Sequence, residues 1–535
     1  MSFTAPTAVV NATTGVDLES LRADAWRSDT RNIPARLLTD AALVDLAEAG
    51  RKLADAAFVR MVESIQAARA GNFRPIPKFA AAPEMLLAFL SRDLIDGWVY
   101  RRDNDGHLHP YLVTSVRIER AARTDTETLF IVLEADDPSD RRAGHSGRSR
   151  RSITFEKSDV TRKKPSDVLL ARGLFKETPQ LKAEYLERLA EFEHVIAHGF
   201  AKQYRFTGRV LDSEDWKTEN ERNGHKIIHD VHPSEVPALR GYAPSVLHPD
   251  DAEHQGTGPL PVLTILRAFD LSTQDFITVN VADITEYQYD QTLGQKLILP
   301  ADQRELLDIL TTDISTFTAD VIEGKSAGNV ILGKGVPGVG KTLTAEVYSE
   351  LISRPLYAIH SGTLGTNAEK IRENLETVFK RAKRWDAVLL LDEADVFVLE
   401  RGENITQNAI VAEFLRTLEY FDGLLFMTTN RAYDIDDAIL SRCAAIIDYR
   451  TPGPADSRRV WQVQATNQGT LLEETLLDEL VAGFPDITPR DIKMLLRLSL
   501  RVAAHRDAQL SVDVFARCAI FRGLHYRPDN KEGDR

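Results

Sequence analysis

A glycine-rich stretch ending in lysine and threonine, GVPGVGKT, occupies residues 335–342. It fits the spacing G-x-x-x-x-G-K-[ST]. Because the glycines of this pattern have no side chains to obstruct a phosphate, their backbone N–H groups can turn toward it. Lys341 would place a positive charge at the outer phosphates, and Thr342 would offer its hydroxyl to Mg²⁺. The run NVILGKG before the loop predicts a buried strand and KTLTAEVYSEL after it predicts a helix, the context that such a loop needs. The predicted nucleotide contacts in this stretch are Gly335, Val336, Pro337, Gly338, Val339, Gly340, Lys341, Thr342 and Leu343.

Two carboxylates follow another apolar run, in AVLLLDEAD at residues 387–395. The apolar residues predict a strand that is buried on both faces. Asp392 and Glu393 would then lie at its carboxyl end, where the ligands of open α/β sheets bind. Asp392 would hold Mg²⁺, directly or through water, and Glu393 would orient and polarise an attacking water. Because the pair follows a phosphate loop, it indicates hydrolysis rather than transfer to a bound metabolite.

Two further polar residues are candidates for the same site. Asn430 ends the predicted strand in GLLFMTTNR, where its amide could hold the attacking water or the γ-phosphate, or could only cap the strand. Arg442 ends a helical turn in DIDDAILSRCAAIIDY. An arginine there is poorly placed to reach its own nucleotide but could reach that of a neighbouring subunit, which is the arginine-finger role. A surface salt bridge is the alternative for Arg442.

Composition limits the class of protein. The chain has 535 residues, with 43% hydrophobic and 27% charged residues, which is ordinary for a soluble globular protein of several domains. The formal charge of −14 argues against a protein that coats nucleic acid non-specifically. The only cysteines are Cys443 and Cys518, so we expect no disulfide framework and a reducing, cytoplasmic setting. Neither a secretory signal nor a transmembrane stretch is apparent, so we expect no membrane insertion.

The pattern of apolar residues predicts an α/β core with a parallel sheet between helices, followed by a C-terminal helical lid. An α+β, strand-rich N-terminal region precedes this core. The predicted segments are a flexible arm (1–36), a helical then β-rich domain (37–165), a helical connector (166–203), a second β-rich domain (204–296), the α/β core (297–451), the lid (452–525) and a tail (526–535).

These motifs, in this order, resemble the AAA family of ATPases, within the broader AAA+ class. The resemblance covers roughly residues 297–522 and rests on GVPGVGKTLTAE, AVLLLDEADVF, LEYFDGLLFMTTNR and DDAILSR. It implies that 335–342 is Walker A, that Asp392 and Glu393 are Walker B, that Asn430 is sensor 1 and that Arg442 is the arginine finger. ITPRDIKMLL resembles the sensor 2 helix of the lid, with Arg490 as its candidate arginine. A solvated residue at a helix start is the alternative for Arg490.

The resemblance implies a ring, most often of six subunits, that binds ATP and Mg²⁺ between neighbours and works on another macromolecule. With YQYDQTLGQKLILP upstream, the chain is most similar to fungal and bacterial members that carry a long uncharacterised N-terminal region. The leading hypothesis is Mg²⁺-dependent ATP hydrolysis that drives remodelling, disassembly or translocation of a protein substrate. The alternatives are a nucleic-acid-associated ATPase in replication or defence, and a switch whose assembly follows ATP binding.

Two departures from the family pattern bear on the kind of work done. The segment SGTLGTNAEKIREN lacks the aromatic residue of many pore loops, and Leu364 is its only sizeable apolar candidate. Threading of an unfolded chain and remodelling of a folded complex therefore both remain open. Ala445 stands where many relatives carry a second arginine, which implies simpler sensing between subunits.

Two N-terminal stretches are candidates for other partners. DRRAGHSGRSRRS, which contains Arg141 to Arg151, could contact nucleic acid or an acidic partner, although a mobile hairpin loop is favoured. His225, His229 and His232 in HKIIHDVH invite a zinc site. However, residues four apart on a strand lie roughly 13 Å from each other, which is too far for one metal ion.

Overall fold

The structure is a computed structural model. It describes residues 2–22, 29–34, 37–56, 58–59, 62, 73, 75–77, 79, 82–103, 105–120, 127–140, 147–211, 219–233, 241–248, 256–312, 329–365, 367–431 and 433–527. The chain forms two compact units, Met1–Glu286 and Tyr287–Arg535. Across the described ranges, no helix combines the length and apolar character needed to cross a membrane.

The first unit is rich in antiparallel strands. In chain order these are β1 (Ser2–Pro6), β2 (Thr30–Pro34), β3 (Trp98–Arg102), β4 (Leu108–Arg120), β5 (Glu127–Asp136), β6 (Arg148–Phe155), β7 (Leu174–Lys176), β8 (Gln203–Val210), β9 (Glu219–His229), β10 (Tyr242–Pro244), β11 (Thr257–Pro259), β12 (Ile265–Asp270), β13 (Asp275–Asn280) and β14 (Ile284–Glu286). They form one sheet in the order β6-β5-β4-β3-β7, another in the order β13-β12-β9-β8-β14, and the pairs β1-β2 and β10-β11. The strand-rich N-terminal region is therefore confirmed.

Several helices accompany these strands: Thr7–Ala12, Glu19–Arg22, Asp40–Lys52, Ala82–Ser91, Lys157–Val160, Pro165–Leu170 and Pro179–His198. The longest of them is Pro179–His198. Thr178 accepts a hydrogen bond from the Leu181 N–H, and Pro179 occupies the first helical position, where no N–H is needed. This helix ends at Gly199, where an added Cβ would lie 2.4 Å from the Tyr204 hydroxyl oxygen.

Part of the segment that we expected to be a flexible arm is structured. β1 pairs with β2 in antiparallel register, with Phe3 opposite Ile33. Ala5, Val9 and Val10 are buried in a core that also contains residues of the predicted first domain. The arm expectation rested on a weak apolar pattern, whereas the burial of these residues depends on contacts distant in sequence.

The histidines of HKIIHDVH have separate environments. The Nδ1 atom of His225 lies 2.9 Å from Oδ2 of Asp270, whereas His229 is fully buried. Among the described residues no group of three or more histidine, cysteine or acidic side chains could hold a metal ion. Burial lowers the pKa of His229 to about 4.

We predict that acid destabilises the first unit through His229. The neutral ring is buried in the folded state, while the unfolded chain takes up a proton near pH 6.5. This contribution to the free energy of unfolding is present above pH 6.5 and is lost as the pH falls from about 6.5 to about 4, by about 3 kcal/mol. Denaturant unfolding at pH 7 and pH 4.5 measures it. The variant His229→Phe should lose less stability on acidification, and an unchanged difference between the two pH values would contradict the assignment.

The second unit contains a five-stranded parallel sheet. Its strands are β15 (Asn329–Gly335), β16 (Leu356–His360), β17 (Val388–Asp392), β18 (Leu424–Thr429) and β19 (Ala445–Tyr449). They lie in the order β16-β17-β18-β15-β19. Helices precede or connect them: Ala301–Thr312, Lys341–Leu351, Ala368–Arg384, Asp395–Val398, Ile405–Leu418 and Asp437–Leu440. The predicted parallel α/β core is confirmed, and β18 separates the strand of the phosphate loop from the strand of the acidic pair.

The C-terminal part of this unit is helical, as predicted. Its helices are Pro454–Asn467, Glu474–Gly483, Pro489–Arg506 and Val512–Ile520. They pack around a separate apolar cluster that includes Trp461, Leu495 and Phe515. The helix Pro489–Arg506 begins at Thr488, whose side chain accepts a hydrogen bond from the Asp491 N–H.

Candidate functional site

The glycine-rich loop joins β15 to the helix Lys341–Leu351, and its glycines have conformations that other residues avoid. Gly335 has φ +145° and Gly338 has φ +87°. A Cβ at Gly335 would lie 2.1 Å from the carbonyl oxygen of Tyr449 on the neighbouring strand β19. A Cβ at Gly338 would lie 2.8 Å from Cβ of Arg490. The loop therefore depends on glycine for backbone conformation and for close packing.

Hydrogen bonds fix the side chain of Lys341 against this loop. Its Nζ donates to the carbonyl oxygens of Gly335 at 2.7 Å and Val336 at 2.9 Å, and to Oδ1 of Asn430 at 2.9 Å. Burial lowers the pKa of Lys341, while Asp395 and Asp392 act in the opposite direction. The geometry fixes the cation where it can meet the phosphates of a nucleotide that lies on the loop.

A chain of hydrogen bonds links the loop to the acidic pair. The hydroxyl of Thr342 donates to Oδ1 of Asp392 at 2.9 Å, and the hydroxyl of Thr428 donates to the same oxygen at 2.5 Å. Thr428 also accepts the backbone N–H of Glu393 at 3.0 Å. A single buried hydroxyl thus fixes both members of the acidic pair. Sequence analysis did not select Thr428, because a threonine inside a buried strand carries no motif of its own.

Thr342 and Asp392 suit a magnesium ion. Mg²⁺ prefers oxygen ligands, usually one or two from the protein together with water and phosphate oxygens. The Thr342 hydroxyl gives its hydrogen to Asp392 and keeps lone pairs, and Asp392 keeps its second carboxylate oxygen. Thr342 and Asp392 therefore have oxygen atoms available for the Mg²⁺ ion that the sequence predicts at this site.

Glu393 lies at the carboxyl end of β17 in a left-handed backbone conformation, with φ +53°. Such a conformation is uncommon for a residue with a side chain and is often found at functional sites. Oε2 of Glu393 lies 2.9 Å from Nε2 of His360, the residue that ends the adjacent strand β16. Nδ1 of His360 accepts the N–H of Gly362, so Nε2 carries the proton of the neutral ring and donates to Glu393. His360 is a second residue that sequence analysis missed, and its place at a strand end was the available signal.

Asn430 follows β18, between the phosphate loop and Glu393. Its backbone N–H donates to Oδ1 of Asp395 at 3.0 Å, which fixes the end of the strand. Its Oδ1 accepts from Lys341, so its NH₂ group is left to donate to a phosphate or a water. Because β17 pairs with β18, Asn430 lies beside the strand of the acidic pair.

These residues line one cavity of about 580 Å³ within the second unit. Of the predicted contacts, those in its wall are Pro337, Gly338, Gly340, Lys341, Thr342, Leu343, Asp392, Glu393, Asn430 and Arg490. Gly335, Val336 and Val339 are not in this wall, and Val339 packs into the core beneath the loop. The N–H of Arg490 donates to the carbonyl oxygen of Gly338 at 3.1 Å, which brings the start of a lid helix directly onto the loop.

The cavity wall also contains Leu293 and Lys296, from the segment just before the core. This segment is tied to the helix Lys341–Leu351 through Glu350, which accepts the Tyr287 hydroxyl at 2.7 Å and the Asp290 N–H at 3.0 Å. Both cavity residues were missed from the sequence, because a short irregular segment has no periodic pattern.

Arg442 lies away from the cavity of its own chain. Its Nη1 donates to the carbonyl oxygen of Ala438 at 3.0 Å, and its Nη2 lies 4.0 Å from Glu419. The guanidinium is partly exposed and is not part of the described cavity wall. This placement suits an action on a neighbouring molecule.

The basic stretch in the first unit is only partly described, because residues 141–146 lie outside the described ranges. Arg148 and Arg150 are exposed on the edge strand β6, and Nε of Arg150 lies 3.5 Å from Glu134. Arg151 is half-buried, and burial lowers its pKa. Of the three arginines, Arg148 and Arg150 are thus available at the surface.

A phosphate loop between a strand and a helix, with carboxylates on a nearby strand end, defines a nucleotide-hydrolysing α/β domain. Residues 331–451 match the family model described as ATPase family associated with various cellular activities (AAA). This part of the chain is therefore an AAA ATPase domain.

Curated proteins are similar to part of this chain. A putative 26S proteasome regulatory subunit homolog of Methanothermobacter marburgensis is 29% identical over 188 residues, which covers 33% of this chain and 49% of that protein. The ATP-dependent zinc metalloprotease FtsH 3 of Synechocystis is 25% identical over 201 residues, covering 34% and 32%. A crystal structure of the FIGL-1 AAA domain in complex with ADP is 18% identical, with a TM-score of 0.36, and the match covers 45% of this chain and 86% of that one. The chain thus spans about half the length, or less, of these two curated relatives.

We predict that Thr428→Val, which removes the buried hydroxyl at almost constant volume, lowers ATP hydrolysis about 10- to 100-fold. The change leaves the Glu393 N–H without its acceptor and Asp392 without one donor. Hydrolysis measured against Mg²⁺ concentration should show both a lower kcat and a weaker apparent affinity for Mg²⁺. Thr377→Val is the control, because its hydroxyl bonds only to a carbonyl of its own helix. Normal Mg²⁺ dependence in Thr428→Val would contradict this role.

Proposed function

We propose that the protein hydrolyses ATP with Mg²⁺ at this site and uses the energy to remodel, disassemble or translocate a protein substrate as a ring, most often of six subunits. The observation that carries the proposal is the junction of the loop and the strand ends. There Lys341 bonds to Asn430, and Thr342 bonds to Asp392 beside Glu393. The free cysteines Cys443 and Cys518 fit a reducing compartment such as the cytoplasm.

In the proposed mechanism the loop amides and Lys341 bind the phosphates of ATP. Thr342 and Asp392 would hold Mg²⁺, which would offset negative charge on the phosphates. Glu393 accepts a proton from the attacking water as general base.

The remaining roles complete the site. The NH₂ group of Asn430 donates to the γ-phosphate or the water, and Arg490 approaches the phosphates from the lid. Arg442 stabilises the charge of the transferring phosphate in the site of the next subunit. Hydrolysis is thereby tied to assembly, because a chain by itself lacks the arginine of its neighbour.

A protein substrate is supported by the relatives, since a putative proteasome regulatory subunit homolog and a metalloprotease are both similar to about a third of this chain. The first unit supplies the region that would recognise the substrate. The described part of the pore-loop segment has Leu364 buried rather than exposed, so it presents no large apolar side chain to grip an unfolded chain. We therefore favour remodelling of a folded complex over threading.

Affinity capture with Glu393→Gln in ATP tests the proposal. This variant should retain a protein that is absent when Lys341→Ala is added, and wild-type enzyme with ATP should release it. Retained nucleic acid, lost when Arg148 and Arg150 are neutralised, would instead favour the nucleic-acid-associated alternative. Assembly that follows ATP binding with full function in Glu393→Gln would favour the switch.

A further inference from the structure

The strand β6 (Arg148–Phe155) forms one edge of its sheet in the first unit. It has eight residues, and among the described strands that have a partner on one side only it is the longest. Its pairing with β5 is regular along its whole length, without the register shift found between β4 and β5. It also contains no proline. Bulges, prolines and short length are means by which proteins blunt an edge, so β6 is left open to pairing in the part of the chain that the structure describes.

The hydrogen bonds of the sheet show which backbone groups of β6 point away from it. The Asp137 N–H donates to the carbonyl oxygen of Gly147 at 2.8 Å, so these two residues face each other as a hydrogen-bonded pair. Bonded and non-bonded pairs alternate along an antiparallel ladder. Arg148 and Asp136 are therefore a non-bonded pair, and the Asp136 N–H accordingly donates on its other side, to the carbonyl oxygen of Pro261. The residues of β6 whose N–H and C=O groups point away from β5 are Arg148, Arg150, Ser152 and Thr154. These four residues are the open edge of β6.

The side chains of the open edge are exposed, whereas those of the residues between them are partly buried. Two of the four side chains are arginines, and both lie in the first half of the strand. Nε of Arg150 lies 3.5 Å from Oε1 of Glu134, yet the Arg150 side chain remains 66% exposed. The open edge therefore combines a row of backbone donors and acceptors with two positive charges at one end.

We propose that the open edge binds an extended acidic segment of a protein partner, which adds to the sheet as a further strand. The backbone of such a segment supplies acceptors and donors at the spacing of a strand, which matches the outward groups of β6. Acidic side chains at every second position lie beside Arg148 and Arg150, with Cβ atoms about 5 Å apart.

The backbone of the open edge favours a polypeptide over nucleic acid. A DNA phosphate backbone has acceptors but no donors, so the outward carbonyl groups of β6 would face phosphate oxygens. A strand of protein satisfies both kinds of group. The inference goes beyond the proposed function, because strand addition at β6 needs neither ATP nor a second copy of the chain.

Fluorescence anisotropy of labelled peptides with the full-length chain tests the proposal. The probe is a peptide as long as β6 in which glutamate alternates with valine, and we expect it to bind. The same peptide with lysine in place of glutamate should bind about tenfold more weakly or less, because its charges meet two arginines. The glutamate peptide with every amide N-methylated has no backbone donors, and its affinity should fall by about tenfold or more.

Variants of the chain locate the site. The double variant Arg148→Glu and Arg150→Glu should weaken binding of the glutamate peptide about tenfold. Ser152→Pro should weaken it to a similar extent, because proline removes an outward N–H that takes no part in the ladder with β5. Arg117→Glu is the matched control, since Arg117 is an exposed arginine on β4, two strands from the edge, and this variant should bind normally.

The outcomes separate this proposal from its alternatives. Equal binding of the lysine peptide or of the N-methylated peptide would overturn it, as would unchanged binding in both edge variants. A wild-type chain that binds none of the peptides would also overturn it, and the arginines would then serve only to protect the edge from aggregation. Tighter binding of labelled single-stranded DNA, lost in the double arginine variant, would assign the surface to nucleic acid instead.

The proposed function fails or stands independently of these results. None of the substituted residues of β6 lines the nucleotide cavity, so the edge variants should hydrolyse ATP at the wild-type rate. Glu393→Gln should in turn bind the glutamate peptide with normal affinity. A chain that binds the peptide but hydrolyses no ATP would contradict the proposed function alone, whereas hydrolysis without peptide binding would contradict only the strand addition.

Discussion

Glu393→Gln is expected to lower kcat for ATP hydrolysis about 10²- to 10⁴-fold while ATP still binds. Glutamine has nearly the same shape but cannot accept the proton of the attacking water. The loop contacts of Lys341 and the Thr342–Asp392 pair do not involve the Glu393 side chain, so the affinity for ATP should change little. Steady-state hydrolysis and equilibrium binding of a fluorescent ATP analogue measure the two quantities.

Glu403→Gln is the control for this change, since it is an exposed glutamate outside the cavity wall. It should hydrolyse ATP at the normal rate. A Glu393→Gln enzyme that retains more than about a tenth of wild-type kcat would show that another group is the general base.

Arg442→Ala is expected to lower kcat by about 10³-fold or more without weakening ATP binding to the isolated chain. The guanidinium is absent from the wall of its own cavity, so we expect the loss to arise at a neighbouring site. Hydrolysis measured over a range of protein concentrations should show the defect in fully assembled protein. The control is Arg431→Ala, an arginine that follows Asn430 but is not in the cavity wall.

A mixture of two inactive variants shows whether Arg442 acts on a neighbouring subunit or within its own chain. Arg442→Ala keeps Glu393, and Glu393→Gln keeps Arg442, so a mixed assembly contains sites that receive both groups. Neither variant alone should be active, whereas the mixture should recover hydrolysis. If the mixture is as inactive as its components although the two variants assemble together, Arg442 does not act between subunits.

The candidate site was largely predictable because its main residues lie in short continuous motifs. The loop 335–342 requires only a strand, a turn and a helix in succession, and the acidic pair at Asp392 and Glu393 requires only a buried strand before it. Parallel strands bring their carboxyl ends to one edge of a sheet, so Asn430 could be placed beside this pair. Each of these inferences uses only the order of motifs and strands along the sequence.

Other features depended on the tertiary structure. The register between β16, β17 and β18 brings His360 into contact with Glu393. The same register lets Thr428 form hydrogen bonds with both Glu393 and Asp392. Register between strands from distant parts of the chain leaves no local signal in a single sequence. The same holds for Leu293 and Lys296, which reach the cavity only because their segment packs on the helix that follows the loop.

The sequence alone thus determined the class of the ATPase domain and predicted its candidate reacting groups, because these residues are encoded as contiguous patterns. Only the tertiary structure decided how the groups are held and which residues of the N-terminal segment are buried. Burial and pairing arise between residues that are far apart in sequence, and the folded chain is what brings them together.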